Sequence, residues 1–91
     1  MITVISEQEK ERLKRELGYI YVENFFDGLA VAQKDGKWFH ILESGQPAYE
    51  ARFDFAEYFQ HGRAWVRIGA AWYRIDTSGK TLMDRKNTSA D

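Results

Sequence analysis

Four residues in the second half of the chain carry the side chains best suited to holding a ligand. Arg63, Trp65 and Arg67 alternate along one predicted strand, and Arg74 follows on the next strand. Alternate residues of a strand project from one face, so these side chains should share a surface. Guanidinium groups beside an indole can hold a phosphate, an acidic peptide or a single-stranded base through charge-assisted hydrogen bonds and stacking. The same pattern also fits a tryptophan that packs inward beneath the arginine stems.

No pattern in the sequence indicates catalysis, a cofactor or a metal ion. His40 and His61 belong to no short motif of cysteine, histidine or carboxylate at metal-ligand spacing. Glu23 and Glu57 each stand two residues before a phenylalanine, where accepting backbone N–H bonds is a simpler role than general acid. The sequence contains no nucleophile elbow, phosphate-binding loop or HExxH zinc motif. We therefore predict a protein that is not an enzyme, with no catalytic, cofactor-binding or metal-binding residues.

Composition narrows the class of protein further. The 91 residues suffice for one small domain, and six phenylalanines, five tyrosines and three tryptophans let it build a core without the disulfides that the absence of cysteine rules out. A net charge of −1 argues against a nucleic-acid partner, whose phosphates need several uncompensated cations. Because no apolar run approaches the roughly 20 residues of a membrane span, we expect no membrane association and a cytoplasmic location.

The chain repeats itself at a period of 34 residues. Residues 19–45 align with residues 53–79 without a gap, and eight aligned positions are identical. The repeated residues are mostly aromatic, small or glycine, which are the residues of packing and turns. A repeat of this length is one supersecondary unit used twice. The structural anchors of the two copies are Phe25, Gly28, Ala30, Trp38, Ile41 and Gly45, matched by Phe59, Gly62, Ala64, Trp72, Ile75 and Gly79.

A helix is predicted ahead of the first copy, at about residues 6–17. Ser6 with Glu9 three residues later has the pattern of a capping box, and Gly18 suits a left-handed stop. The apolar stripe of this helix is narrow, so it should lie on another element rather than form a core.

Each copy is predicted to be a three-stranded antiparallel meander reached through an aromatic loop. Asp35-Gly36 and Gly69 mark the hairpin turns, and Trp38 and Trp72 should fill the junction between units or lie under the aromatic loop. The predicted strands are 29–33, 38–42 and 46–51 in the first copy and 63–67, 72–76 and 80–83 in the second. The predicted fold is mainly β, with one helix, in a single domain at 1–91. Its parts are the helix at 1–18, repeat 1 at 19–52, repeat 2 at 53–83 and a flexible tail at 84–91.

These motifs resemble those of the bacterial WG-repeat family, also called KWG repeats. The likeness rests on Gly28-Leu29-Ala30-Val31 and Gly62-Arg63-Ala64, on Gly36-Lys37-Trp38 and Trp72, and on Ile75-Asp76 with the closing Gly45 and Gly79. It covers about residues 19–83. The chain departs from the family where Phe39 and Tyr73 replace the glycine after tryptophan. The resemblance implies small β-meander units in tandem arrays that act as non-catalytic interaction modules, without a shared cofactor.

Two copies are fewer than stacked repeats usually need. Either the helix covers the aromatic face that a third unit would cover, or two chains pair as a homodimer. We expect a module that binds protein, itself included, through an aromatic face of the sheet. The alternative is an anionic ligand bound by Arg63, Trp65, Arg67 and Arg74. A third reading is a structural remnant of a longer array.

Overall fold

Two antiparallel sheets and a single helix make up the computed structural model, which describes residues 2–82. The elements are β1 (Ile2–Thr3), α1 (Glu7–Leu17), β2 (Tyr21–Phe26), β3 (Leu29–Lys34), β4 (Lys37–Ile41), β5 (Phe55–Ala56), β6 (Ala64–Ile68) and β7 (Ala71–Ile75). Strands β1 to β4 form one sheet in that order, and β5 to β7 form the other. The predicted fold class, mainly β with two tandem meanders after a helix, is confirmed. The predicted tail at 84–91 and Met83 lie outside the described residues.

Helix α1 begins and ends at the predicted signals. The Ser6 side chain accepts a hydrogen bond of 3.1 Å from the Glu9 N–H. The Glu9 carboxylate accepts from the Arg12 guanidinium, so only one half of the capping box forms. Gly18 adopts a left-handed conformation and donates its N–H to the Lys14 carbonyl, which ends the helix.

The aromatic segments predicted as loops are the first strands of the meanders, which corrects the predicted strand positions. In β2 the register shifts between Val22 and Phe25, and this irregularity removes the regular alternation by which a strand is recognised. The predicted third strands reduce to the bridges Ile41↔Pro47 and Ile75↔Thr81 within residues 2–82. Proline has no N–H to donate to a ladder, so Pro47 does not extend its bridge into a strand.

Each meander turns tightly at residues that tolerate positive φ. Asp35 and Gly36 have φ of 55° and 76°, as a type I′ hairpin requires at both central residues. His61 and Gly62, with φ of 55° and 78°, form the equivalent of the turn between β2 and β3. The backbone groups of Gln60 and Arg63 exchange two hydrogen bonds across it.

A single core runs through both repeats. Small residues lie on its inner face, and Ala30, Ala32, Ala64 and Val66 are all at most 2% exposed. Both copies therefore keep small residues on the buried face. The small side chains leave room for larger partners on the next strand, including Phe39 opposite Ala32.

Trp38 joins the two repeats, as predicted. Its backbone exchanges hydrogen bonds of 2.8 and 2.9 Å with Phe53, the residue that opens the second repeat. The centroid of its ring lies 5.0 Å from that of Phe55. The ring of Trp72 lies 6.0 Å from the same phenylalanine, within its own repeat. Phe55 therefore stands between the two repeated tryptophans.

Each repeat closes on the segment that precedes it. Gly45 has a φ of 95°, and a Cβ there would lie 2.7 Å from Leu13 and 2.8 Å from Leu17 of α1. Gly79 has a φ of 85°, and a Cβ there would lie 2.6 Å from the Tyr49 ring. Only glycine fits both the conformation and the close approach. Helix α1 therefore packs against the closing glycine of repeat 1 in the way that the segment around Tyr49 packs against the closing glycine of repeat 2.

Candidate functional site

A buried histidine holds the two repeats together. His40 lies on β4 and has no solvent exposure. Its Nε2 lies 2.8 Å from the Glu57 carbonyl, and its Nδ1 lies 2.5 Å from the Tyr49 hydroxyl. A carbonyl only accepts, so Nε2 carries the proton and Nδ1 accepts from Tyr49. One neutral tautomer thus satisfies both bonds.

Burial sets the charge state of this pair. Desolvation lowers the pKa of His40 to about 4, although the hydrogen bond to the Glu57 carbonyl opposes the shift. Desolvation also raises the pKa of Tyr49. Both side chains are therefore neutral near pH 7, which suits their mutual hydrogen bond at the junction between the repeats.

Residues 57–59 dock on the first repeat beside His40, and we call them the docking segment. The Glu57 carbonyl accepts from His40, and the Phe59 ring centroid lies 4.4 Å from the imidazole centroid. The Tyr58 ring centroid lies 4.3 Å from that of Phe26. Val31, paired with His40 across the sheet, is 1% exposed. The outer face of the first repeat is thus covered by the start of the second.

The equivalent place on the second repeat is a cleft of about 420 Å³. A shift of 34 positions converts Phe26, Leu29, Val31 and His40 into Gln60, Arg63, Trp65 and Arg74, all of which line it. Trp65 and Arg74 are half-buried, and Arg63 is exposed. We call this space the second-repeat cleft.

Three of the four predicted surface residues meet in the second-repeat cleft. Trp65 pairs with Arg74 across the sheet, and the guanidinium carbon lies 5.2 Å from the indole centroid. Arg63 joins them in the lining. Arg67 points elsewhere, because its guanidinium donates a hydrogen bond of 2.7 Å to the Gly69 carbonyl in the β6–β7 turn.

Comparison with known families agrees with this two-unit organisation. A family model described as "WG containing repeat" matches residues 4–38 and 43–72. Both stretches end on a tryptophan, Trp38 or Trp72, and together they cover most of the chain. The chain belongs to the WG-repeat family. The comparisons with curated proteins and with solved structures find no match.

The matched stretches extend the WG unit beyond the resemblance visible in the sequence. That resemblance begins at Tyr19, whereas the first matched stretch begins at Val4 and includes α1. The second begins at Glu43 and includes Tyr49. The segment that packs on each closing glycine therefore belongs to the matched unit.

The departure from the WG dipeptide leaves the strands regular. Phe39 and Tyr73, which follow the tryptophans, pair in unbroken register with Ala32 and Val66. Phe39 is 1% exposed and contacts the Tyr19 ring. These aromatic side chains point into the core, so they add packing without a bulge.

Four further polar or aromatic residues of the cleft lining were not predicted as members of a site: Glu57, Tyr58, Gln60 and His61. A signal for one of them was present in the aligned copies of this WG-repeat chain. The apolar Phe26 of the first copy aligns with the polar Gln60 of the second, and His40 likewise aligns with the charged Arg74. Such coordinated changes mark a position that is packed in one copy and solvated in the other.

A second cleft, of about 310 Å³, lies beside the first repeat over Tyr19 and Phe39. Its cations are engaged with the protein itself. The Arg52 guanidinium lies 3.9 Å from the Phe39 ring centroid and donates to the carbonyls of residues 49–51. Lys37 pairs with Asp54 at 2.9 Å. This region therefore closes the core of the first WG repeat.

Across residues 2–82, no three histidine or carboxylate side chains come together as metal ligands could. The single helix in that range is too short and too polar to cross a bilayer.

Proposed function

We propose that this WG-repeat chain is a non-enzymatic module that binds another protein through the second-repeat cleft and its aromatic surroundings. One observation carries the proposal. The same position on the first repeat receives a segment of protein, the docking segment, whereas on the second repeat it forms a cleft lined by Trp65 and Arg74. Aromatic and arginine side chains are those most often found at the centre of protein interfaces. The cytoplasmic location stays a prediction.

A second copy of the chain is one partner of this kind, in the form of a homodimer. Light scattering on a size-exclusion column measures the molar mass of the protein in solution. At about 50 mM salt the interactions between surface charges are strong, and at about 500 mM salt they are largely screened. Trp65→Ala should lower the mass of any oligomer. Leu42→Ala is the control, since Leu42 is 43% exposed and outside the cleft lining. Trp38→Ala is unsuitable, because Trp38 holds the repeats together.

Binding of a small anionic ligand is the second candidate function. It is favoured by the position of Arg63 and Arg74 in one cleft with Trp65. Inorganic phosphate, a mononucleotide and an acidic peptide would be titrated at low salt against wild type and the Arg63→Glu/Arg74→Glu variant. Arg67→Glu is a matched control, because Arg67 lies outside the lining. If none of these probes binds wild type, this candidate fails and protein binding remains.

A further inference from the structure

The junction between the repeats shows how a WG unit binds a polypeptide segment. The docking segment makes three contacts there. Its Glu57 carbonyl accepts from His40, its Tyr58 ring stacks on Phe26, and its Phe59 ring lies edge-on to His40. The receiving positions are equivalent to Gln60 and Arg74 of the second-repeat cleft. The cleft therefore has the place and the framework of a segment-binding site.

The receiving side chains of the cleft differ from those of the junction in charge. Arg74 stands where neutral His40 donates a single N–H, and Arg63 stands where apolar Leu29 packs. A guanidinium can bind a carboxylate through two parallel hydrogen bonds, which imidazole cannot. Glu57 is the one carboxylate in the lining, against these two arginines. The cleft therefore favours an occupant with a carboxylate at the position that meets Arg74.

The receiving surface also differs in aromatic area. Trp65 replaces Val31, and the Arg74 guanidinium lies 5.2 Å from its ring. An indole and a neighbouring guanidinium offer flat faces on which the ring of an incoming side chain can stack. The ring contacts that Phe26 and His40 give to the docking segment thus have a counterpart in the cleft.

The repeated phenylalanines that follow Glu23 and Glu57 are buried in the core of the chain. Phe25 is 4% exposed and Phe59 is 1% exposed, so a folded second copy has neither ring to insert. Residues 83–91 contain two aspartates but no aromatic residue. The chemistry of the cleft therefore fits a segment of a different protein better than it fits these two rings of a second copy.

We infer that the second-repeat cleft binds an extended segment of a partner protein in which an acidic residue is followed directly by aromatic residues. The carboxylate binds Arg74 and Arg63, and a ring packs against Trp65. This inference rests on the proposed function and names the partner chemistry of the same site. It is distinct from self-association, which needs no free segment.

A peptide copied from the chain itself provides the probe. The peptide Phe-Asp-Phe-Ala-Glu-Tyr-Phe-Gln, the sequence of residues 53–60, carries the docking segment in free form. Fluorescence anisotropy with a labelled, Gly/Ser-flanked version measures its affinity for the full-length protein. A second peptide has lysine in place of both the aspartate and the glutamate, because Asp54-Phe55 is also an acidic residue followed directly by an aromatic one. The protein variants are Trp65→Ala, Arg74→Gln and Arg74→Glu, with Arg67→Glu as control and circular dichroism to establish folding.

The expected result is binding that each cleft substitution weakens by about tenfold, the loss of one charge-assisted or stacking contact. Arg67→Glu should bind like wild type. The lysine peptide should bind wild type weakly and regain affinity for Arg74→Glu, which tests the charge pairing even if one variant is destabilised. If the affinity depends neither on the charge of the peptide nor on Arg74, the inferred preference for an acidic residue is wrong. Protein binding by the aromatic surface would still stand.

Absence of peptide binding has two distinguishable meanings. If light scattering then shows a dimer that Trp65→Ala dissociates, the inference falls and the proposed function holds with a second copy as partner. If wild type is also a monomer at both salt concentrations and Trp65→Ala changes nothing, the inference and the proposed function fall together.

Discussion

The two WG repeats share the register of their strand pairs and differ in their surroundings. Strand pairs align in the same register, so that Ala32↔Phe39 in the first repeat corresponds to Val66↔Tyr73 in the second. Burial differs sharply, since Phe39 is 1% exposed and Tyr73 is half-buried. The first repeat lies between α1, β1 and the second repeat, whereas the second repeat has a described neighbour on one side.

This difference shows which residues specify the meander and which specify its contacts. The glycines and small residues shared by both copies determine turns and strand pairing. The positions that differ between the copies, Val31 and Trp65 or His40 and Arg74, meet whatever lies on the outer face. A repeat protein can thus keep its framework while one face changes from an internal junction to a binding surface.

The largest expected contrast comes from truncating the same ring position in each repeat. Phe39→Ala should lower the free energy of unfolding by about 3–5 kcal/mol, because a fully buried ring leaves a cavity. Tyr73→Ala should cost about 1–2 kcal/mol, since less of its surface is removed from water. Urea unfolding of both variants measures the difference. Equal losses would show that the two repeats are packed alike.

The junction histidine should make stability depend on pH. Its pKa is near 6.5 when unfolded and about 4 when folded, so the unfolded state binds the proton first as pH falls. Stability is full above pH 6.5 and should decline by about 3 kcal/mol towards pH 4 from this group.

Carboxylates also titrate in that range, so the measurement is a difference. The free energy of unfolding, measured at several pH values, should fall more steeply with decreasing pH for wild type than for His40→Gln, because the glutamine cannot gain the proton. In the second repeat the equivalent residue is Arg74, which stays charged throughout. Identical pH profiles for the two proteins would contradict a neutral His40 at the junction.

The closing glycines should respond unequally to an added methyl group. Gly79→Ala should lower the free energy of unfolding by about 2 kcal/mol or more, because the new Cβ meets the base of the Tyr49 ring and residue 79 has a left-handed backbone conformation. Gly45→Ala meets the mobile ends of Leu13 and Leu17, so a smaller loss is expected. Gly62→Ala is the control, with about 1 kcal/mol from backbone conformation alone and open space around it. Thermal melts would rank the three variants.

The smallest effect is expected from a charge that only the first repeat carries. Lys37 pairs with Asp54 at the surface, and the equivalent residue in the second repeat is Ala71. The pKa of Asp54 is lowered mainly by the Gly69 N–H and then by Lys37. Lys37→Ala should therefore lower the melting temperature only slightly, and high salt should erase the difference from wild type. A loss that persists in high salt would indicate packing by the lysine stem.

Local signals made much of this fold predictable. The helix has its start at Ser6 and its stop at Gly18, and the hairpin at Asp35-Gly36 has the turn residues that its geometry demands. The repeat predicted Trp38 at the junction, because a residue kept in both copies outside the inner face must pack on something.

The features that the sequence did not predict depend on contacts between residues that are distant in sequence. Strand β1 is two residues long and exists only through its pairing with β2. His40 gave no sign of burial, because its partners Tyr49 and Glu57 lie 9 and 17 residues further along the chain. Alternation placed Arg67 beside Trp65, but the direction of a long flexible side chain follows from a carbonyl in the turn.

The contacts at the closing glycines also bear on how quickly the chain can fold. Gly45 meets Leu13 and Gly79 meets Tyr49, so each closing contact spans about 30 residues of chain, a modest loop by polymer statistics. Most strand pairs are between neighbours, which keeps the contact order low and favours rapid folding for a β protein. Each repeat therefore closes over a loop of similar length, and the His40 junction adds contacts that span only 9 and 17 residues.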